Sequence, residues 1–372
     1  MPLAPDSRLF TRLGPMLLLM LLNASGVFAD SVNTSERTVT KVAEGVYVIR
    51  HKDAPDGFPQ GNTTVIIGDR EVFVVDSCYL PSAAREDIAQ IRRWTNKPVN
   101  HLLNTHWHYD HTMGNGTYAA AFPQLAIVAH IETRKQMEGY NPGWFAKYPQ
   151  RADRFKRLLE TGKDADGKPL TETQKRDYAT ALAGVEPVGA EFKSVVDRLP
   201  NLTFEQGFNV DIGNREVQVK FLGRGNTAGD TIVYLPKEKI LIAGDLIDHP
   251  VPYLGGGYPS DFIKTLQRVA QLDAQTIVTG HGDVLQGDYG KTHLSRIIEF
   301  LQAVVEQVSR QIHLIGNGPR NLEAVREAVL KAIDISAWRQ KFAGDDKDNR
   351  DFFDGFSLPG VVTAAYAEVW GR

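Results

Sequence analysis

Three imidazoles and a carboxylate crowd into six consecutive residues, His106-Trp107-His108-Tyr109-Asp110-His111. Neutral imidazole nitrogens and carboxylate oxygens are ligands that suit zinc, and also iron or manganese. The apolar residues Val99, Leu102 and Leu103 just ahead of them read as a strand over 99–105. If the segment stays extended, alternation turns His106, His108 and Asp110 to one side. His111, where the chain must turn, then approaches the same point from another angle. The bland alternative is a solvated, histidine-rich loop, but four metal-capable side chains packed this tightly favour a metal site.

Other strands also end on candidate ligands. One leads into Gly223-Arg224-Gly225-Asn226-Thr227, a second into Gly244-Asp245, and a third into Gly280-His281-Gly282. Glycine beside each candidate allows tight turns and close backbone approach. Taken singly, Asp245 suits a turn or helix cap better than a ligand, and His281 is evenly balanced. Their shared placement at strand ends shifts both toward the site.

The elements that must position these residues follow from periodicity. Strands are expected at 39–49, 63–67, 71–76, 99–105, 125–129, 202–204, 217–222, 231–235, 239–243 and 276–278. Helices are expected at 82–94, 261–272, 294–308 and 321–333, with a last one in the tail to Trp370. Residues 131–200 are charged and helix-like, an insertion that serves either as packing or as a lid. No repeat of solenoid period is present.

This order of motifs resembles the metallo-β-lactamase superfamily over residues 38–290. His106-x-His108-x-Asp110-His111 is the most specific part, supported by Val75-Asp76, Ala243-Gly244-Asp245 and Thr279-Gly280-His281-Gly282. The resemblance implies an α/β, four-layer αββα sandwich over residues 30–290, with the active site at one edge. The insertion at 131–200 and a C-terminal helical extension at 291–372 would be additions to it. It also implies that His106 and His108 serve a first metal, that Asp110, His111 and His281 serve a second, and that Asp245 lies between them. Asp76, Asn104 and Asp230 become candidates to hold ligand imidazoles by hydrogen bonds.

One ligand departs from the family pattern. Members usually carry Gly-x-x-His-Thr where this chain has Gly223-Arg224-Gly225-Asn226-Thr227. A carboxamide oxygen is a weaker zinc donor than imidazole. Either Asn226 coordinates weakly in a two-metal centre, or one metal sits on the Asp110 side, or another residue such as His249 substitutes. His249 and Tyr253 are also the candidates for contacting substrate.

The implied chemistry is hydrolysis, a metal-bound hydroxide attacking an amide-, ester- or lactone-like carbonyl, with β-lactams included. Asp110 would orient the water as well as bind metal. The cofactor expected is one or two zinc ions. Thioester cleavage of the glyoxalase type and a non-catalytic metal-binding periplasmic protein are the alternatives. A net charge of −3 gives no footprint for nucleic acid, which disfavours a nuclease and leaves a small-molecule substrate as the expected partner. A di-iron redox protein is disfavoured because residues 291–372 do not read as a flavin domain.

The first 29 residues differ in kind. Arg8 and Arg12 precede the apolar run Met16–Leu22, and Val27-Phe28-Ala29 resembles a cleavage site. This reads as a secretory signal peptide that leaves no stable membrane span once removed, and implies a periplasmic or secreted protein. With Cys78 the single cysteine, the mature chain must hold together by its core and draw its metal ligands from His, Asp, Glu or Asn.

Overall fold

Two short runs, Val72-Phe73-Val74-Val75 and Thr231-Ile232-Val233-Tyr234-Leu235, are buried at every position. Alternation sends Phe73, Val75, Val233 and Leu235 into one apolar cluster. Val72 and Val74 enter a second cluster and Ile232 and Tyr234 a third. Strands that are apolar on both faces need cover on both. The computed structural model supplies it, and describes residues 36–370 except 165, 166, 168 and 319. The expected signal peptide lies outside the described residues.

The first sheet runs in chain order: β1 (Thr38–Ala43), β2 (Val46–Arg50), β3 (Thr63–Ile67), β4 (Val72–Val75), β5 (Val99–Asn104), β6 (Ala126–His130) and β7 (Leu202–Phe204). Its pairs are antiparallel as far as β4 and parallel from β4 to β7. The second sheet comprises β8 (Gly207–Asp211), β9 (Glu216–Phe221), β10 (Thr231–Leu235), β11 (Ile240–Ile242), β12 (Thr276–Val278) and β13 (Leu285–Gln286). Within it only β11 and β12 pair in parallel. The sheets face each other across Val46, Phe73, Val75, Leu103, Val219, Val233 and Ile242.

Helices close the outer faces. Pro81–Trp94, Ile131–Lys147, Gln150–Thr161 and Glu172–Phe192 cover the first sheet through Ile88, Met137, Phe155, Tyr178 and Val188. Pro259–Val269, Gly287–Ile315 and the C-terminal helices to Trp370 cover the second, through Phe262, Phe300, Val304, Phe353 and Val362. This is the expected αββα sandwich with additional C-terminal helices. The helix Gly287–Ile315 runs through residues 290 and 291, where the extension was expected to begin, so the C-terminal helices share a core with the second sheet. No helix among the described residues is long and apolar enough to cross a membrane.

The expected strand at 39–49 is two strands. Gly45 (φ +70°) turns the chain between β1 and β2, a conformation that most side chains resist. The edge strands β8 and β13 were not expected. β8 alternates exposed with half-buried residues, and β13 has two residues, so neither carries a strong apolar stripe.

Parallel pairing sets the position of the site. Val75 pairs with Leu103 and Ile242 with Val278, so the loops that follow β4, β5, β11 and β12 emerge at the same ends of their sheets. Backbone bonds then join the two edges, from Thr231 N to the Thr105 carbonyl (2.8 Å) and from Asn62 N to the Gly280 carbonyl (2.7 Å).

Because Phe73 is fully buried between the sheets, Phe73→Ala should lower stability by about 3–5 kcal/mol. Urea denaturation should show a lower midpoint at unchanged slope. A midpoint within error of the parent would mean that the intersheet core does not hold the sandwich together.

Candidate metal centre

The ligand cluster does not stay extended. β5 stops at Asn104, the chain bends over 105–107, and Tyr109–Thr112 forms one helical turn with His108 just before it. The cause is Asp76, whose carboxylate accepts the Thr105 N–H and the Thr105 hydroxyl, both at 2.8 Å. That pulls the strand end aside, and the turn redirects Asp110 and His111 separately from His106 and His108.

Two groups of metal-capable atoms result, each within a 4.8 Å span: Asp110, His111, Asp245 and His281, and His106, His108 and Asp245. Asp245 belongs to both and divides its oxygens between them. Its Oδ2 lies 3.2 Å from His106 Nε2 and 3.8 Å from His108 Nδ1. Its Oδ1 lies 3.0 Å from His111 Nε2 and 3.7 Å from His281 Nε2. Asp110 Oδ2 completes the second group, 2.8 Å from His281 Nε2 and 3.4 Å from His111 Nε2. Ligand atoms around a tetrahedral zinc, at about 2.0–2.1 Å from the ion, lie roughly 3.3 Å from one another. These separations are of that size.

Asp76 also decides which ring nitrogens face the centre. Its Oδ2 accepts from His111 Nδ1 at 2.8 Å. A carboxylate only accepts, so Nδ1 carries a proton and Nε2 is the nitrogen left to face a cation. The Thr105 hydroxyl, spent as a donor on Asp76, accepts from His106 Nδ1 at 3.0 Å and leaves His106 Nε2 free in the same way. The other two residues expected to hold imidazoles hydrogen-bond to none. Asn104 bonds Asn115 and reaches the His111 carbonyl at 3.4 Å. Asp230 Oδ2 accepts the N–H groups of Thr227 (2.6 Å) and Gly225 (3.1 Å), fixing the turn that presents Asn226.

Asn226 is at the centre. Its Nδ2 lies 3.5 Å from both His108 Nδ1 and Asp245 Oδ2, and its Oδ1 is buried without a hydrogen-bond partner. A half-turn of the amide exchanges the two atoms and brings the oxygen to the ligand side. His106 Nε2 and Asp245 Oδ1 are likewise buried and unpartnered, a costly arrangement unless a cation accepts their lone pairs. The donor set therefore fits bound metal. His249 does not join it: its Nε2 meets the Tyr289 hydroxyl at 2.9 Å and its Nδ1 lies 3.6 Å from Asp283. Its backbone follows the bridging loop, but its ring packs on Tyr289 and His293 and joins neither group of metal-capable atoms, so it is no substitute ligand. Tyr253 stands beside the centre, its ring edge-on to His108 with centroids 5.9 Å apart.

Burial and crowding shift five of the charges here. Burial drops His106 to about 4, only partly opposed by Asp245. Burial also disfavours charge on His111 and His281, but Asp245 and Asp110 outweigh it, raising His111 well above the usual range and His281 to about 9. Burial alone would raise Asp110 and Asp245, yet the surrounding imidazoles hold both carboxyls below the usual range. Two carboxylates buried among imidazole nitrogens make a donor set suited to a cation.

Sequence reasoning missed three contributors. Asp248, fully buried, accepts His281 N–H on Oδ1 (3.1 Å) and Tyr253 N–H on Oδ2 (3.2 Å), tying a ligand to the site mouth. Asn62 donates to the carbonyls of Thr279 and Gly282, on either side of His281. Gly61 backs the His111 ring so closely that a Cβ would fall 2.3 Å from it. The glycine before a strand was the only local signal for the last, and nothing in spacing marks the other two.

The family model described as the metallo-beta-lactamase superfamily matches residues 56–281. Among curated proteins, a metallo-beta-lactamase type 2 from Elizabethkingia meningoseptica is 30% identical over 87 residues, 22% of this chain and 35% of the relative. A linear primary-alkylsulfatase from Pseudomonas sp. (strain ATCC 19151) is 24% identical over 234 residues, 58% of this chain and 40% of the relative. The chain thus spans less than half the length of these curated relatives. Among solved structures, a metallo-beta-lactamase from Pontibacter korlensis aligns with a TM-score of 0.51 at 19% identity, covering 72% of this chain and 99% of that one. Motif, sandwich and model match agree, and the chain belongs to the metallo-beta-lactamase superfamily.

Proposed function

We propose that the chain is a metal-dependent hydrolase with a two-cation centre, zinc being the first choice of metal. The observation that carries this is the division of Asp245, one oxygen toward His106, His108 and Asn226, the other toward His111 and His281. Bound cations would supply Lewis acidity, making a water acidic at neutral pH and polarising the scissile bond. The protein does the rest. Asp110, held against His281, orients the attacking water. Asp76 and Thr105 lock two ligand tautomers. His108, the most exposed of the ligand side chains at 17%, marks the open side, where Tyr253 and Asn226 are placed to meet substrate.

The substrate class proposed is an amide-, ester- or lactone-like carbonyl compound, β-lactams included. A second reading, sulfate-ester hydrolysis, is favoured by the alkylsulfatase match, the longer of the two curated alignments above. A panel of chromogenic β-lactam, lactone, carboxylic ester and aryl sulfate, assayed with metal content measured on the same protein, separates the two. Hydrolysis of none of them by metal-loaded protein would overturn both.

His108→Ala and Asp110→Ala should each reduce kcat/KM by more than the roughly 10–100-fold that loss of an outer hydrogen bond costs. Retained turnover in either would remove the metal mechanism. Asn226→His replaces a weak donor with imidazole, and should tighten the weaker of two metal equivalents in a chelator-competition titration. An unchanged titration would show that residue 226 is not a donor.

A further inference from the structure

A second buried polar cluster lies behind the metal centre. His51, Cys78 and Asp87 bring metal-capable atoms within 4.8 Å of one another, and each is at most 1% exposed. It is closed to a cation, because its atoms are already used. His51 Nδ1 bonds the Gly61 carbonyl and Nε2 bonds Asp87 Oδ2, both at 2.8 Å. Asp87 Oδ1 takes Arg37 at 2.9 Å. The Cys78 thiol points at the Leu80 carbonyl, 3.7 Å away. Such a closed network rigidifies what it touches, and what it touches is Gly61.

Gly61 and Asn62 form the link between the two loops that carry the second group of ligands. The Gly61 N–H donates to the Asp110 carbonyl at 3.1 Å, and its Cα backs the His111 ring. The N–H of Asn62 donates to the Gly280 carbonyl, and its side chain to the carbonyls of Thr279 and Gly282. We propose that His51 is a positioning residue for the Asp110–His111–His281 half of the centre, acting through Gly61 and held in place by Asp87 and Arg37. The proposal rests on the metal-centre reading above. Without the bond from His51, the Gly61 carbonyl loses its tie while its N–H stays on Asp110, and the 3.2 Å separation of His111 Nε2 and His281 Nε2 loses part of its backing. The effect falls mainly on that half, because among the described residues no hydrogen bond joins the side chains of His106, His108 or Asn226 to His51, Asp87 or Arg37.

The test compares His51→Leu, which removes both bonds, with His51→Gln, whose carboxamide can still donate to Gly61. Metal-free protein is titrated with Zn²⁺ against a competing chelator, and the Co²⁺-loaded form is followed by its visible d–d spectrum. His51→Leu should weaken one of the two equivalents by about 10–100-fold, as loss of an outer partner does. The Co²⁺ bands should shift while the other equivalent stays within about twofold, and His51→Gln should recover most of the loss. Parent affinity and spectrum in His51→Leu would overturn the proposal, and so would parallel weakening of both equivalents, which marks a general loss of structure. If His51→Leu does not fold, Asp87→Asn replaces it, with the same selective loss expected and the same two outcomes against. A parent protein that takes up no metal defeats the metal-centre reading itself, a result distinct from a bound centre indifferent to residue 51.

Discussion

Asp76 is the carboxylate on which the site depends. It bends the chain after β5 by capturing Thr105, and it orients His111 directly and His106 through the same hydroxyl. Its own position is strained: Asp76 and Cys78 both hold φ near +60°, where non-glycine residues rarely sit. Each such residue costs on the order of 1–3 kcal/mol. The strained turn also places Ser77, whose N–H and hydroxyl both donate to the His111 carbonyl. Strain in the loop after β4 is thus offset by hydrogen bonds that exist only when the ligands are in place.

What could be read from sequence was what is local in sequence. The histidine cluster, Asp245 and His281 announce themselves by residue type and by their positions after apolar runs. Their geometry did not, because the bend after β5 is imposed by Asp76, 29 residues before Thr105. The sandwich was legible because doubly buried strands leave continuous apolar runs, whereas β8 and β13 leave none. Gly61, Asn62 and Asp248 matter only through contacts made across the junction of the sheets, and their chemistry is ordinary until the fold is known. Asn226 was the reverse case, conspicuous as a departure and then found at hydrogen-bond range of the centre.

The mouth of the site is built from afar. The loop carrying Tyr253 is held by Asp248 on one side and by the C-terminal helices on the other. The Ser357 hydroxyl bonds the Pro252 carbonyl at 2.7 Å, Phe356 packs on Tyr253 with centroids 5.2 Å apart, and a Cβ on Gly360 would strike Gly255. The helix layer over the second sheet therefore shapes the surface that a substrate meets. Trp107, which also packs on His108, stacks on Tyr140 from the inserted helices, with centroids 4.4 Å apart. Variation in either helical layer would change the entrance while leaving the metal-capable residues untouched.

The ligands come from both sheets: Asp110 and His111 follow β5 of the first, and Asp245 and His281 follow β11 and β12 of the second. A cation held among them acts as a cross-link between halves of the sandwich that are distant in sequence. In this chain, whose one cysteine is buried and unpaired, it would take the place that a disulfide fills elsewhere. Unlike a disulfide, it is made and lost by mass action, with an affinity that adds to the free energy of folding. With a cation bound there, the stability of the whole sandwich would become a function of the free-metal concentration around it.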